Sequence, residues 1–389
     1  MPVPAVVRTR GAVVSHQTPD SSSSRFERRQ TLTDDRGVTI AADVLRQFVE
    51  QMFRAVDVPL EEARQVSESL VDANLVGHDS HGVVRVNDYT AQLNEGSLVA
   101  GVEIQTLVET DALLLGDAQA GFGQVQMCRL LDALRPRAER LGIACGVLRR
   151  CGHVGRLGEW VERLAEHGLA SLVTVNDNGV LKCVAPPGGI EPRISTNPVA
   201  VGIPSGETPV ILDMSTSVVA NGKITVAQLA GQLCPPGWLQ DAQGQPTRDP
   251  ADRFADPPGS ILPFGGDQAF KGFGLGLVLD MLVGGLSGGF CPPAPDGTFG
   301  DNNVLTLVWD PQRFAGRTHF EEQVTKLLDY VRGCPTRDAE TTIRLPGDRS
   351  RRERVQRLRD GIPLDAGTWR QLSQLAKTLQ VEIPAVDLG

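Results

Sequence analysis

The reading of the fold turns on IACGVLRRCGHVGRLGEWVERLAEHGLASLVTV, residues 143–175. Ile143 to Leu148 is a short apolar run of the kind a buried strand makes, and Ala170 to Val175 is another. Between them, Leu157 to His167 reads as an amphipathic helix. Strand, loop, helix and strand in succession point to an α/β body, and the alternation continues in both directions. Upstream lie a strand at Ala112 to Leu115 and a helix from Gln124 to Leu141. Downstream come strands at Pro198 to Ile203, Val210 to Leu212 and Val304 to Trp309, a helix from Glu321 to Val331, and two helices after Pro346.

The N-terminal part has a different pattern. Val44, Leu45, Phe48, Val49, Met52 and Phe53 form one helical stripe, and Ala63, Val66, Leu70 and Ala73 form a second. A third helix is expected from Val83 to Leu93, stopping near Gly96. Gly231 to Pro263, rich in Pro, Gly and Asp, reads as a long surface excursion. Gly272 to Leu286 is almost continuously apolar but short for a membrane span, so close packing in a core or a subunit interface is expected. The first 37 residues, with Ser21 to Ser24 and little apolar periodicity, read as a disordered extension. At 389 residues, two or three domains are expected.

A net charge of −9 argues against nucleic-acid or anionic-membrane partners, which need a basic surface. Arg351, Arg352, Arg354, Arg357 and Arg359 form a basic run that reads as a solvated helix face. Seven cysteines without a Cys-x-x-Cys pair suit reduced thiols, and Arg8 and Arg10 have no apolar run behind them, so no signal peptide is read. The expected location is the cytoplasm. Only five of the 38 cationic side chains are lysines and only six residues are histidines, which makes the positions of both worth tracing.

Four polar clusters could carry chemistry. The first, Gly77-His78-Asp79-Ser80-His81-Gly82, is followed by Arg85 and Tyr89. A Ser–His hydrolase pair is rejected here because neighbouring residues point in different directions. The favoured arrangement has Asp79 or Ser80 capping a helix that begins near Val83, with His81 and Arg85 on one face. An imidazole that can donate a proton beside a guanidinium that can clamp a carboxylate suits a small carboxylic acid; a plain capping motif is the bland alternative.

The second cluster is Cys151-Gly152-His153-Val154-Gly155, at a strand end where α/β proteins keep ligand contacts. Zinc is the rival reading, but the pair lacks a second half at ligand spacing, so no metal site is assigned. The third runs through Ser195-Thr196-Asn197-Pro198 to Leu212-Asp213-Met214-Ser215-Thr216-Ser217 and Gly222-Lys223. Asp213 is either a helix cap or a group that orients a catalytic imidazole. In the fourth, Phe270-Lys271-Gly272, the ammonium could meet a phosphate. No GxGxxG follows a strand, so the standard dinucleotide fingerprint is absent.

Taken in order, Asp-Ser-His-Gly-x-x-Arg, Gly-His before a helix, Thr-Asn-Pro, Leu-Asp-Met-Ser-Thr-Ser with Gly-Lys, Lys-Gly-Phe-Gly-Leu and Leu-Pro-Gly-Asp resemble the malate/L-lactate dehydrogenase family of the non-Rossmann type. The similarity covers roughly residues 38 to 385. The resemblance implies a helical N-terminal unit plus a mixed or antiparallel-sheet cofactor domain. It implies an NAD- or NADP-dependent homodimer that interconverts a small 2-oxo acid and its 2-hydroxy acid. Reduction of a cyclic imino acid such as Δ1-piperideine-2-carboxylate is the enzymatic alternative. A catalytically silent dimeric binding protein is the alternative of another class.

By the same resemblance the helical substrate and dimer unit spans 38–110 and the sheet-based cofactor domain 111–310. Residues 311–389 form a C-terminal helical segment packing back on the N-terminal unit. His81 matches the proton donor, and Asp213 a carboxylate near the nicotinamide and that histidine. Arg85 matches the carboxylate clamp, with Ser80, Thr196 and Asn197 beside the substrate. Matching cofactor contacts are His153 (a second histidine held to be catalytic in one branch), Asp177, Ile211, Leu212, Met214, Ser215, Thr216, Ser217, Phe270, Lys271, Gly347, Asp348 and Arg349. Asp177 departs from the small hydroxyl residue expected there. Arg349, Arg351 and Arg352 offer charge for a 2′-phosphate. If Asp213 touches His81, it raises the imidazole pKa.

Overall fold

The computed structural model describes residues 37–206, 208–229 and 231–388. The expected N-terminal extension lies outside the described residues except for Gly37. The chain first forms strand β1 (Val38–Ile40) and helices α1 (Ala42–Arg54), α2 (Leu60–Leu75) and α3 (Val86–Glu95). Both apolar stripes face inward, apart from Val44, which is exposed. Gly96 ends α3 in the left-handed conformation at φ +75°.

The 143–175 stretch then becomes the middle of a seven-stranded sheet. Its strands are β2 (Gln105–Glu109), β3 (Leu113–Asp117), β4 (Ile143–Cys151), β5 (Ala170–Asn176), β6 (Val199–Ile203), β7 (Val210–Met214) and, after three short strands, β11 (Asn302–Trp309). The order is β2-β3-β4-β11-β5-β6-β7, with only β3 and β4 parallel. The sheet is mixed, as the family resemblance implied. Period-2 alternation assigns the faces of β4. Ala144, Gly146 and Leu148 meet the layer of α4 (Gly123–Leu141) and α5 (Leu157–Glu166), while Val147 packs with Val283 and Leu305 on the other side. Trp160 on α5 is fully buried in the first layer.

Val283 belongs to α7 (Phe270–Ser287), the apolar stretch singled out above. Among the described residues it alone is long and apolar enough to cross a membrane. Gly272, Gly276, Val283 and Gly284 pack inward, and Asp280 is buried against Asn176 and Asn197. Leu275, Val278, Met281, Leu282 and Leu286 form an exposed apolar face.

Gly231 to Pro263 is not the surface excursion expected. After α6 (Asn221–Leu229) it forms strands β8 (Leu239–Gln240), β9 (Pro246–Thr247) and β10 (Ser260–Ile261), ordered β10-β8-β9. Cys183, Val184, Ile194, Ile224, Cys234, Leu239 and Ile261 give it a core of its own. The turn-rich composition masked this, because its strands are two residues long and show no readable period.

The C-terminal part holds α8 (Arg317–Arg332), α9 (Asp348–Asp360), β12 (Ile362–Leu364), α10 (Ala366–Leu379) and β13 (Asp387–Leu388). β12 and β13 flank β1, and Leu372 and Ala376 share the core of α1 to α3. The arginine run on α9 is not simply solvated. Arg354 pairs with Asp72 on α2 at 2.5 Å, Arg357 with Asp79 at 2.6 Å, and Arg351 with Asp348 at 2.5 Å. Arg359 does face solvent, bonded to its neighbour Asp360. A sequence pattern shows that a face is charged; it does not show which distant carboxylates will meet it.

Candidate active site

One cavity of about 1040 Å³ opens between the loop after α2, the ends of β4, β5 and β7, and helix α6. Of the residues expected in the site, Ser80, His81, Arg85, His153, Asp177, Thr196, Asn197, Asp213, Met214, Ser215, Ser217 and Arg349 line it. The others do not. Ile211 is buried in the sheet core and Leu212 is exposed on the same strand. Thr216 is buried, its hydroxyl bonded to the Thr196 carbonyl. Gly347 and Asp348 serve the start of α9, where Asp348 accepts from Leu345 N and Arg351. Phe270 is exposed, and the Lys271 ammonium lies over its ring, 6.0 Å from the centroid.

The segment between α2 and α3 differs from the single helix expected. Asp79–His81 and Val83–Arg85 are two short 3-10 turns, separated by extended Gly82 at φ −91° and ψ −151°. Neither Asp79 nor Ser80 caps the second turn. Asn74 does so from α2: its Oδ1 accepts from Val83 N at 2.9 Å, and its Nδ2 donates to Asp79 at 2.7 Å. His81 and Arg85 therefore reach the same cavity by way of a break, not from one helical face. Ser80 and His81 do touch, against the expectation: Ser80 Oγ lies 3.0 Å from His81 Nδ1. The tight turn bends adjacent side chains together, which a regular helix or strand would not.

Arg85 is held at two corners. Nε donates to Ser80 O at 2.9 Å and Nη1 to Asp88 at 3.0 Å. A methyl group on Gly222, in the first turn of α6, would lie 3.2 Å from Ser80 Cβ and 3.7 Å from Arg85 Nη2. A glycine there lets α6 close directly over the pair.

Asp213 does not meet His81. Its Oδ2 accepts from Gly158 N at 2.8 Å, holding the start of α5, and Arg156 is its neighbouring cation. Arg156 itself is buried, shared between Asp72 at 3.2 Å and Glu162 at 3.0 Å. The electrostatics of His81 consequently run opposite to the expectation. Burial, then Arg85 and Arg156, push its pKa down to about 4. His78 is pushed down to about 3 by burial and then by Arg156, His81, Arg349 and Lys223. Asp177 is pushed up to about 7 by burial, with Asp280 adding to it.

His153 follows β4 and stacks against His81 with ring centroids 5.5 Å apart. Its loop rests on the start of α4, where Gly123 is packed backbone to backbone. A Cβ there would overlap the carbonyl oxygens of Gly152 and His153. Gly123→Ala is expected to cost about 1–3 kcal/mol of stability and displace the His153 loop. Urea unfolding checks the first effect; an unchanged midpoint would show that the loop yields freely.

No group of three or more His, Cys, Asp or Glu side chains is placed to hold a metal among the described residues. Lys223, Arg156 and Tyr89 are among the residues the sequence left without assigned roles. Lys223 and Arg156 line the cavity, and Tyr89 stands behind His153. The sequence signal for Tyr89 was its i+4 spacing from Arg85. Arg156 had none, because Asp72 on α2 and the neighbouring Asp213 on β7 come from distant segments.

A family model described as malate/L-lactate dehydrogenase matches residues 40–373. Hydroxycarboxylate dehydrogenase B of Escherichia coli K12 is 33% identical over 352 residues, covering 89% of this chain and 95% of that protein. The structure of malate dehydrogenase from Pyrococcus horikoshii OT3 superimposes with a TM-score of 0.80 at 28% identity, covering 91% of this chain and 99% of that one. Δ1-Piperideine-2-carboxylate reductase from Pseudomonas syringae pvar. tomato matches with a TM-score of 0.72 at 30% identity, over 87% of this chain and 99% of that one.

Proposed function

For a chain that belongs to the malate/L-lactate dehydrogenase family and is an oxidoreductase acting on CH–OH groups, we propose that His81 moves the proton as a small 2-hydroxy acid and its 2-oxo acid interconvert. The observation that carries this reading is the meeting of His81, Arg85 and His153 at one end of a cavity far larger than such an acid.

The family generally uses nicotinamide cofactors, and the remaining space suits one. Asn197 Oδ1, Asn221 Oδ1 and Asp177 Oδ1 are buried acceptors with no partner among the described residues, in residues that line the cavity. Lys223 and Arg349 offer cations for phosphate. Arg351 is engaged by Asp348 and by Pro209 O, and Arg352 is exposed, so of the three arginines noted only Arg349 reaches the cavity. When bound, the nicotinamide supplies or accepts the hydride at the substrate C2.

The residues do the rest. Arg85 holds the carboxylate and so orients C2. His81, neutral in the free site, takes the hydroxyl proton in oxidation and returns it in reduction. A carboxylate on Arg85 offsets one of the cations that depress His81, which favours the imidazolium that reduction needs.

Two helices support a homodimer. α8 and α9 have no buried residue, Leu327, Tyr330, Val355 and Leu358 are exposed on them, and α7 carries an exposed apolar face of its own. α9 rests on α2 through Arg354 and Asp72, but a helix of the length of α8 rarely holds without packing. A second copy would cover them. All seven cysteines are unpaired, which suits the reducing cytoplasm.

The test follows NADH and NADPH absorbance across a panel of 2-oxo acids and cyclic imino acids. Turnover of 2-oxo acids is expected. Turnover of imino acids alone would transfer the site to the alternative suggested by the piperideine-2-carboxylate reductase likeness. With His81 depressed to about 4, oxidation kcat/KM is expected to be level above pH 6. Reduction should fall about tenfold per pH unit. An oxidation limb near pH 6.5 would show that His81 keeps its ordinary pKa.

A further inference from the structure

Behind the cavity, three side chains from separate elements form a short chain of hydrogen bonds. Tyr89 comes from α3, Gln124 from the first turn of α4, and His153 from the loop after β4. Tyr89 and Gln124 are only 3% and 1% exposed. Gln124 Nε2 donates to Tyr89 Oη at 2.9 Å, and Oη stands 2.7 Å from His153 Nδ1.

A phenol has one proton to give. With its oxygen already accepting from the amide, the acceptors in reach are His153 Nδ1 and the His153 carbonyl at 3.5 Å. The shorter contact takes it, so Nδ1 is an acceptor and the neutral ring carries its proton on Nε2. Charging the ring would set a second donor against the phenol oxygen and leave the phenol proton only the weak carbonyl contact. Burial, Arg85 and His81 act in the same sense, holding His153 well below the ordinary imidazole pKa. Nε2 makes no hydrogen bond among the described residues, and His153 lines the cavity.

We propose that Gln124 and Tyr89 are positioning residues that lock His153 as a neutral Nε2–H donor, which polarises the substrate C2 oxygen while His81 carries the proton. The polarising role rests on the hydroxy-acid reading above; the tautomer does not. A neutral imidazole suits this task because it stabilises a developing alkoxide without competing to protonate it. No bond to His153 breaks. The hydride enters at C2, and the alkoxide takes its proton from His81.

The lock is read by nitrogen NMR of histidine-labelled protein, with the His153 signals assigned from His153→Asn. In the wild type at neutral pH, a protonated Nε2 and an unprotonated Nδ1 are expected. Gln124→Glu puts an acceptor where the amide donated, so the phenol proton turns away and His153 should shift to the Nδ1–H form. Tyr89→Phe, a smaller change to the core, should release the ring to a mixture of both tautomers. Both variants should lose reduction kcat/KM on the order of 10–100-fold while NADH binding holds. A wild-type Nδ1–H or charged ring overturns the proposal, and so do unchanged ring signals in both variants. If no hydroxy acid is turned over at all, the ring signals still decide the tautomer, which separates failure of the lock from failure of the functional reading.

Discussion

His81→Ala is expected to lose turnover on the order of 10²–10⁴-fold in both directions, the range associated with a positioned general acid–base. The contacts of this side chain explain why the loss should be chemical and not structural. Among the described residues the His81 side chain makes one hydrogen bond, to the adjacent Ser80, and its ring stacks on His153 without belonging to an apolar core. Truncation therefore leaves the fold almost untouched, and thermal unfolding should show it. NAD(P)H fluorescence titration should give wild-type affinity, because the candidate phosphate cations Lys223 and Arg349 remain in place. The pH limb of reduction should vanish with the imidazole. Wild-type turnover in the variant would remove His81 from the mechanism and leave His153 as the remaining imidazole beside Arg85.

Much of this site could be read from residue order, and the reason is local. Asp79, Ser80, His81 and Arg85 lie within seven residues, so almost any compact turn presents them together. The strand ends that hold Asn176, Asp213 and the His153 loop were visible for a similar reason: short apolar runs in a sheet have few alternatives. What the order could not reveal was pairing across the fold. Asp213 lies at the end of a strand, as read, but its partner is the backbone of Gly158 on a helix 55 residues away. Arg156, Asp72, Glu162 and Arg354 converge from three separate segments, and none of them has a local motif.

The expected pKa of His81 failed on this point. A carboxylate was expected as its neighbour, whereas two cations and burial surround it. The same logic explains the helices α7, α8 and α9. Composition shows that their faces are apolar or basic, but which surface covers them depends on packing that periodicity does not encode. Lys271 illustrates the consequence. A lysine in a family motif lies outside the cavity lining, with its ammonium over the ring of exposed Phe270 at the start of α7.

Arg85→Ala should raise the KM for the acid about 10- to 150-fold, the value of one charge-assisted hydrogen bond of about 1.5–3 kcal/mol. The structure narrows how the clamp can work. Nε is committed to Ser80 O and Nη1 shares one proton with Asp88, so the side-on fork is closed. A carboxylate must approach the Nη1–Nη2 end beneath α6, next to Gly222. Arg85→Lys keeps the charge but loses both the anchoring bonds and the planar end, so it should recover only part of the KM. Cofactor affinity should hold in both variants. The pH profile supplies an independent arm. Arg85 is among the cations that lower the His81 pKa; removing it raises that pKa, so the limb of the reduction profile should move to higher pH in Arg85→Ala and stay near its original place in Arg85→Lys. An unchanged KM with a shifted limb would mean that Arg85 tunes the imidazole without touching the substrate. An unchanged limb with a raised KM would mean that the two groups act separately.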